Sequence, residues 1–474
     1  MSKGFKKALK TFYWTAENVP AYASFLLDKK IKYESIKTED DFVNVPCMNK
    51  KNYLRKYRFE DLSPEGASVS PMISVSSGSS GVPFFWPRGE EQEKEGGIIH
   101  ERIFRDIFNL KKDEKTLVVI CFSMGSWIAG TYTVACCRYV SREGYNLSIV
   151  TPGINQEDTI SVFQNFAKNF DRVILAGYPP FIMDILYEMK HQKINIKKMR
   201  LNLLFAGESF SEKWRDFSHK MAEIKDELSG SVNIYGTADA AVLGHESPLT
   251  VFLRRISTKD KAVATKIFGS SGHPSSCVHY YPEYKFFQED NEDLIFTTKS
   301  GIPLVKYKIG DKGRILTNSE LNDLTKEFSF AKSSLFQDLL KKWPDPIIIL
   351  KNRDDVSVTF YALNIYPENI KTALEDSKLR RFFSGKFVAT VRVLNHGKNQ
   401  KLCLTLELGK EVKDSQELRN LAQVTILKYM ANLNAEYRRL LKSVGKKAYP
   451  FIVLLPYSSE NFIIKNNKHR WVKK

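Results

Sequence analysis

Apolar positions change their spacing several times along the chain, and each change marks an element. The first 70 residues read as helix and loop, with Phe12, Trp14, Tyr22, Phe25 and Leu26 at mixed helical spacing. Between Gln92 and Leu110, Ile98, Ile99, Ile103, Ile107 and Phe108 recur near the helical period and predict an amphipathic helix. Short apolar runs then alternate with helical stretches: 117–122, 147–150, 173–176 and 201–205 as strands, with helices near 158–169 and 180–190. That alternation predicts an α/β architecture built on a mostly parallel sheet.

From 248 to 316 the texture becomes strand-like, with runs at 251–253, 293–297 and 304–307, which predicts a mixed or barrel-like β unit. A polar break at Lys351, Arg353, Asp354 and Asp355 follows the apolar run 347–350. Beyond it the pattern predicts a small α+β domain: strands 387–394 and 402–408 around a turn at 396–400, one long helix, and a strand at 450–455. Asp414 and Glu417 form a capping box for that helix, its buried stripe runs from Leu418 to Val444, and Gly445 supplies a stop. The predicted division is therefore 1–354 and 355–474, with no internal repeat.

Length and composition narrow the class. At 474 residues, 43% hydrophobic and 27% charged, the chain has room for several compact units and lies far from the disordered regime. Its net charge of +18 is uneven. Residues 362–474 hold 22 Lys plus Arg against 9 Asp plus Glu, so +13 falls there and +5 on everything before. A solvated basic face and a surface for anions both fit that excess. The six cysteines are scattered without CxxC spacing, which suits a reducing cytoplasm. Thr116 to Cys137 is 22 residues without a formal charge. Ser, Gly and Thr dilute its middle, so a buried strand followed by a turn and a helix is expected rather than a membrane span. His245, His273, Cys277 and His279 share a window, but their spacing matches no standard zinc set. No nucleic-acid-binding signature accompanies the basic tail.

Four segments carry chemistry. In Ser76-Ser77-Gly78-Ser79-Ser80-Gly81-Val82-Pro83, glycines permit tight turns and hydroxyls and N–H groups suit phosphate oxygens, though a flexible linker has the same composition. Asn233-Ile234-Tyr235-Gly236-Thr237-Ala238-Asp239 offers an aromatic face, close backbone approach and a carboxylate. Tyr307-Lys308-Ile309-Gly310-Asp311 places an acid where it can accept ribose hydroxyls. Arg353-Asp354-Asp355 then precedes Asn364 to Ile370, with Pro367 starting a helix.

In this order the four segments, together with Ala206-Gly207-Glu208-Ser209, resemble the adenylate-forming superfamily of acyl-CoA synthetases and adenylation domains, most nearly its phenylacetate–CoA ligase-like branch. The resemblance runs from about residue 70 to the end. It implies an α/β N-terminal AMP-binding domain, a small mobile C-terminal lid domain, and a two-step ligase for an aromatic or hydrophobic carboxylic acid. By position it implies that Ser76, Ser77, Gly78, Ser79, Ser80 and Gly81 hold phosphates, that Ala206, Gly207 and Tyr235 enclose adenine, and that Gly236 and Thr237 line the same site. Asp239 takes Mg²⁺, Asp311 the ribose, and Arg353 the ribose or phosphate. Lys468 and Lys465 are the counterparts of the catalytic tail lysine, and Met124, Gly125 and Trp127 are candidates for the acyl pocket. ATP, Mg²⁺ and CoA are the implied cofactors; a cytoplasmic protein without a membrane span and without a nucleic-acid partner is expected, with the oligomeric state, a homodimer among the alternatives, left open.

The chain also departs from the family pattern. Val82 stands in place of the loop lysine, Ala238 in place of a hydroxyl, Asp239 in place of Glu, and Ala362 in place of a glycine that lets a pantetheine arm pass. These departures keep two alternatives open: an amine, carrier-protein arm or protein thiol as acceptor, and a catalytically weak relative that only binds nucleotide or acyl ligand.

Overall fold

The computed structural model of the chain describes residues 2–64, 72–76, 83–269, 276–351, 358–361, 363–394, 399–462, 469 and 471–473. Two units divide the chain, Met1–Lys351 and Asn352–Lys474.

In the first unit, helices Lys3–Asn18 and Pro20–Asp28 meet at Val19, where Pro20 opens the second helix. Their Phe5, Phe12, Tyr22 and Phe25 enter a core shared with Tyr53, Trp86, Phe296 and Tyr307. The expected helix at 92–110 is present as Glu90–Arg102, continued by a π-helical turn Ile103–Ile107. Strands Leu147–Val150, Thr116–Cys121, Arg172–Gly177, Arg200–Ala206 and Ser231–Thr237 lie side by side in that order and all run parallel. After Ser231–Thr237 the same sheet turns antiparallel, through Ala241–His245, Cys277–His279, Ile347–Leu350, Leu304–Leu316, Asp293–Thr298 and Phe286–Asp290.

Two expectations change here. The region expected to be barrel-like is the antiparallel wing of the main sheet, and no closed barrel forms among the described residues. The run 251–253 is not a strand but part of helix Pro248–Lys259, because Ser247 and Thr250 form a capping box around Pro248 and Leu249 and Leu253 bury one helical face. The neutral stretch 116–137 divides as expected into strand Thr116–Cys121 and the start of helix Ile128–Arg142. No helix among the described residues is long and apolar enough to cross a membrane.

The second unit is a four-stranded sheet in the order Phe451–Leu455, Asn399–Leu408, Phe383–Leu394, Val472–Lys473. Its central pair is antiparallel and both outer pairs are parallel. Phe387, Leu404, Leu406, Ile426, Met430 and Tyr437 fill its core. The single long helix expected from 414 onward is two helices, Gln416–Leu433 and Ala435–Val444. Asn434 interrupts them in an extended conformation, its N–H ending the first helix on the Met430 carbonyl and its side chain accepting the Tyr437 N–H at the start of the second. The first cap is Ser415, which accepts the Leu418 N–H, while Asp414 pairs with Arg419 instead.

Candidate active site

The parallel sheet gives way to antiparallel pairing at strand Ser231–Thr237, and the carboxyl ends of parallel strands beside such a change are where α/β sheets place ligands. Ala206 ends the neighbouring strand, in register with Ile234, and Gly207 follows at φ +95°. The left-handed conformation suits glycine and turns the chain across the strand end. Asn233 Nδ2 donates to the Glu208 carbonyl at 3.0 Å, and Tyr178 donates its hydroxyl to the Glu208 carboxylate, so the 206–208 turn is tied to the strand carrying Tyr235. The Asn233 backbone is gripped by Glu246, whose carboxylate accepts the Asn233 N–H at 2.9 Å and whose own N–H donates to the Asn233 carbonyl at 2.9 Å. Asn233 Oδ1 is left buried without a hydrogen-bond partner.

A bulge between Tyr235 and Gly236 shifts the ladder with Ala241–His245. From there Tyr235 donates its hydroxyl to Asp311 Oδ2 at 2.6 Å. Asp311 follows Gly310, which has φ +93°, inside strand Leu304–Leu316. That residue breaks the regular ladder to Asp293–Thr298 and leaves Asp311 buried, 6% exposed. Two segments far apart in sequence thus meet as an aromatic ring and a carboxylate.

Strand Leu304–Leu316 makes a second meeting, with the turn that follows Ser231–Thr237. Tyr307 donates its hydroxyl to Asp239 Oδ2 at 2.6 Å, and the Lys50 ammonium lies 3.2 Å from that oxygen. Asp239 is 3% exposed and Lys50 38%. The turn before Asp239 is anchored by Arg88, which donates to the Ala238 carbonyl. Burial lowers the Arg88 guanidinium to about 10, with the nearby Asp239 charge opposing the fall. Thr237 serves the turn as well, its hydroxyl accepting the Ala240 N–H at 3.1 Å.

The Ser/Gly segment joins a hairpin of Met72–Val75 with Phe85–Arg88. Ser76 closes its base: its N–H donates to the Phe84 carbonyl and its hydroxyl accepts the Phe84 N–H. Ser77, Gly78, Ser79, Ser80, Gly81 and Val82 lie outside the described residues, as do Arg353, Ala362, Lys465 and Lys468. Val75 pairs with Trp127 across a parallel bridge, and its N–H donates to the Ser126 carbonyl at 2.8 Å, so the hairpin borders the turn holding Met124 and Gly125.

No family model and no curated relative matches the sequence. Solved structures match over nearly the whole chain. 2-Hydroxyisobutyryl-CoA ligase in the postadenylation state with R3-HIB-AMP superposes with a TM-score of 0.67 at 13% identity, covering 99% of this chain and 88% of that one. An open conformation of the same enzyme with 2-HIB-AMP and CoA gives 0.57 at 13%, over 99% and 90%. The GH3.15 acyl acid amido synthetase in complex with 2,4-DB gives 0.60 at 12%, over 98% and 91%. The fold is that of the adenylate-forming enzymes.

Asp239, to which the resemblance assigns Mg²⁺, already carries a cation at Oδ2, the Lys50 ammonium. A divalent metal on that same oxygen would lie within roughly 5 Å of the ammonium, a repulsion on the order of 7 kcal/mol at an effective dielectric near 20. In the histidine window His245 engages the Tyr281 hydroxyl and the Glu246 carbonyl, each at 2.7 Å, and among the described residues no His, Cys, Asp and Glu cluster of three or more forms. Lys50, Arg88 and Tyr307 had no role in the sequence reading. Only Tyr307 and Asn233 stood inside quoted motifs, and nothing local marks Lys50, which is brought in by packing of the N-terminal segment.

Taken by itself, the second unit anchors the flanks of the tail lysines. His469 Nε2 donates to the Phe387 carbonyl at 2.7 Å, the His469 ring stacks on buried Phe462, and Trp471 packs on Phe387 with Lys371 4.0 Å above its ring.

Proposed function

We propose that the chain is an AMP-forming carboxylate ligase, which activates an aromatic or otherwise hydrophobic acid as its acyl-adenylate and passes the acyl group to CoA. The observation that carries this reading is the Tyr235–Asp311 pair, a stacking face and a ribose acceptor, beside the Ala206-Gly207 turn at the end of the strand next to that of Tyr235.

Adenine lies between Tyr235 and the Ala206-Gly207 backbone, and the unpartnered Asn233 Oδ1 accepts a hydrogen bond from its amino group. Asp311 accepts the ribose hydroxyls. The substrate carboxylate oxygen attacks the α-phosphorus of ATP and pyrophosphate leaves; the CoA sulfur, losing its proton, then attacks the acyl carbonyl and AMP leaves. Neither step requires a protein nucleophile, so the protein contributes positioning and positive charge. Residues 76–81 are assigned to the phosphates, Arg353 to the ribose or phosphate, and Lys468 or Lys465 to the α-phosphate and carboxylate. Residues 355–474 form the basic lid domain. Met124, Gly125 and Trp127, beside the hairpin, face the acid.

Ala362 favours a second acceptor, an amine or carrier arm, because a methyl group obstructs a pantetheine passage that glycine leaves open. The similar structures include both a CoA ligase and an amido synthetase by name. Incubation with ATP, CoA and a panel of acids tests the reading. Acid-dependent AMP with an acyl-CoA product supports it, acyl-AMP without thioester selects the second acceptor, and no acid-dependent AMP contradicts both.

A further inference from the structure

We propose that Lys50 is the resident cation on the phosphate side of this site, held by Asp239 and offering its ammonium to the polyphosphate of the bound nucleotide. This rests on the nucleotide reading above.

Lys50 is placed by backbone register rather than by chance contact. It opens the single turn Lys50–Leu54, whose start is fixed by a reciprocal capping box between Asn49 and Asn52. Two residues earlier, Met48 is bridged in parallel to Tyr307, its N–H donating to the Lys306 carbonyl at 3.2 Å and its carbonyl accepting the Lys308 N–H at 2.8 Å. The Tyr307 hydroxyl and the Lys50 ammonium converge on one oxygen of Asp239. One stretch of pairing therefore sets phenol, carboxylate and ammonium together.

The pair is not sealed. Lys285 against Glu95 shows what a closed lysine–carboxylate pair looks like in this chain, with the lysine 2% exposed. Lys50 stays open although its carboxylate is buried, so N–H donors of its ammonium remain for an outside acceptor. Among the described residues Asp239 is its one ion-pair partner. Its Nζ also stands 6.0 Å from the ring centroid of Trp86, on the strand that leaves the Ser/Gly segment. That segment has Val82 where the resemblance calls for lysine. A positive charge missing from the loop's sequence is thus supplied beside its exit strand by the N-terminal segment. Asp239 acts as a positioning residue for it, which accounts for a carboxylate at the expected metal position that already carries an ammonium.

Titration calorimetry with ATP, AMP and adenosine, each with Mg²⁺ and with EDTA, tests the assignment on the full chain. In EDTA, Lys50→Met is expected to weaken ATP at least tenfold, AMP less, and adenosine not at all, with Lys50→Arg restoring most of the loss. Unchanged adenosine affinity also reports an intact fold. If Lys50→Met fails to fold because Asp239 is stranded, the Lys50→Met/Asp239→Asn double variant must still show the ATP-selective loss. ATP affinity within twofold of wild type, in either variant, overturns the inference alone. A wild-type chain that binds none of the three ligands overturns the nucleotide reading and this inference with it.

Discussion

Tyr235 and Asp311, 76 residues apart in sequence, are joined by a 2.6 Å hydrogen bond from phenol to carboxylate. The bond fixes the ring and orients the acid, yet the two residues have separable tasks if the ring stacks and the acid takes ribose. Asp311→Ala should weaken AMP binding roughly 10- to 100-fold, the range for a hydrogen bond to a charged group. Tyr235→Phe, which keeps the stacking face, should cost only a few-fold. Calorimetry with 2′,3′-dideoxy-AMP checks the assignment, because the Asp311→Ala deficit should vanish with that ligand.

Glu246 links the site to a buried ion network. Its carboxylate meets Arg215 at 2.7 Å and Arg254 at 2.5 Å, while Glu212 meets Arg215 at 2.9 Å. The two carboxylates hold the Arg215 guanidinium well above its usual range despite burial. Glu246→Gln leaves buried cations uncompensated and should destabilise the N-terminal unit by about 3 to 5 kcal/mol. Urea unfolding measures that loss. The same variant should weaken AMP binding, because Glu246 also holds the Asn233 backbone.

The N-terminal unit should be labile to acid. Burial pulls the His100 and His245 imidazoles down to about 4, and those of His219 and His279 to about 3. The unfolded chain takes up protons below its ordinary histidine value near 6.5 while the folded chain does not, so stability is full above that pH and falls toward pH 4. Each histidine contributes a loss of about 2 kcal/mol between pH 6.5 and 5. Urea midpoints at pH 7.5 and 5 should show the drop, and His279→Asn should make it shallower.

Trp471 anchors one flank of the tail lysines. Trp471→Ala should destabilise the isolated contact by about 3 kcal/mol, as truncation of a buried aromatic does. Limited trypsin digestion should then cut at Lys465 or Lys468 faster than in wild type, with the Met1–Lys351 unit equally resistant in both.

Much of the fold was legible because its signals are local. Buried parallel strands read as apolar runs, and Pro179, Pro248 and Pro367 each open a helix. Pro248 nevertheless heads a run misread as strand, since the residues 251–253 are apolar in either conformation and the capping box decides between them. Asn434 hid a helix break for a related reason: the apolar stripe continues past it, and only its backbone conformation interrupts the helix. At the site, Tyr235, Asp239, Asp311 and Ala206 belong to recognisable segments. Lys50 does not, because what places it is the pairing of Met48 with Tyr307, a relation across the sheet that no spacing in the chain records.

The central claim is acid activation by ATP, and acid-dependent exchange of labelled pyrophosphate into ATP tests it most directly. The account predicts exchange with at least one aromatic or hydrophobic acid, lost without the acid and reduced at least tenfold by Asp311→Ala. Robust binding of AMP with no exchange across the acid panel would contradict it and leave a nucleotide-binding protein without the ligase reaction.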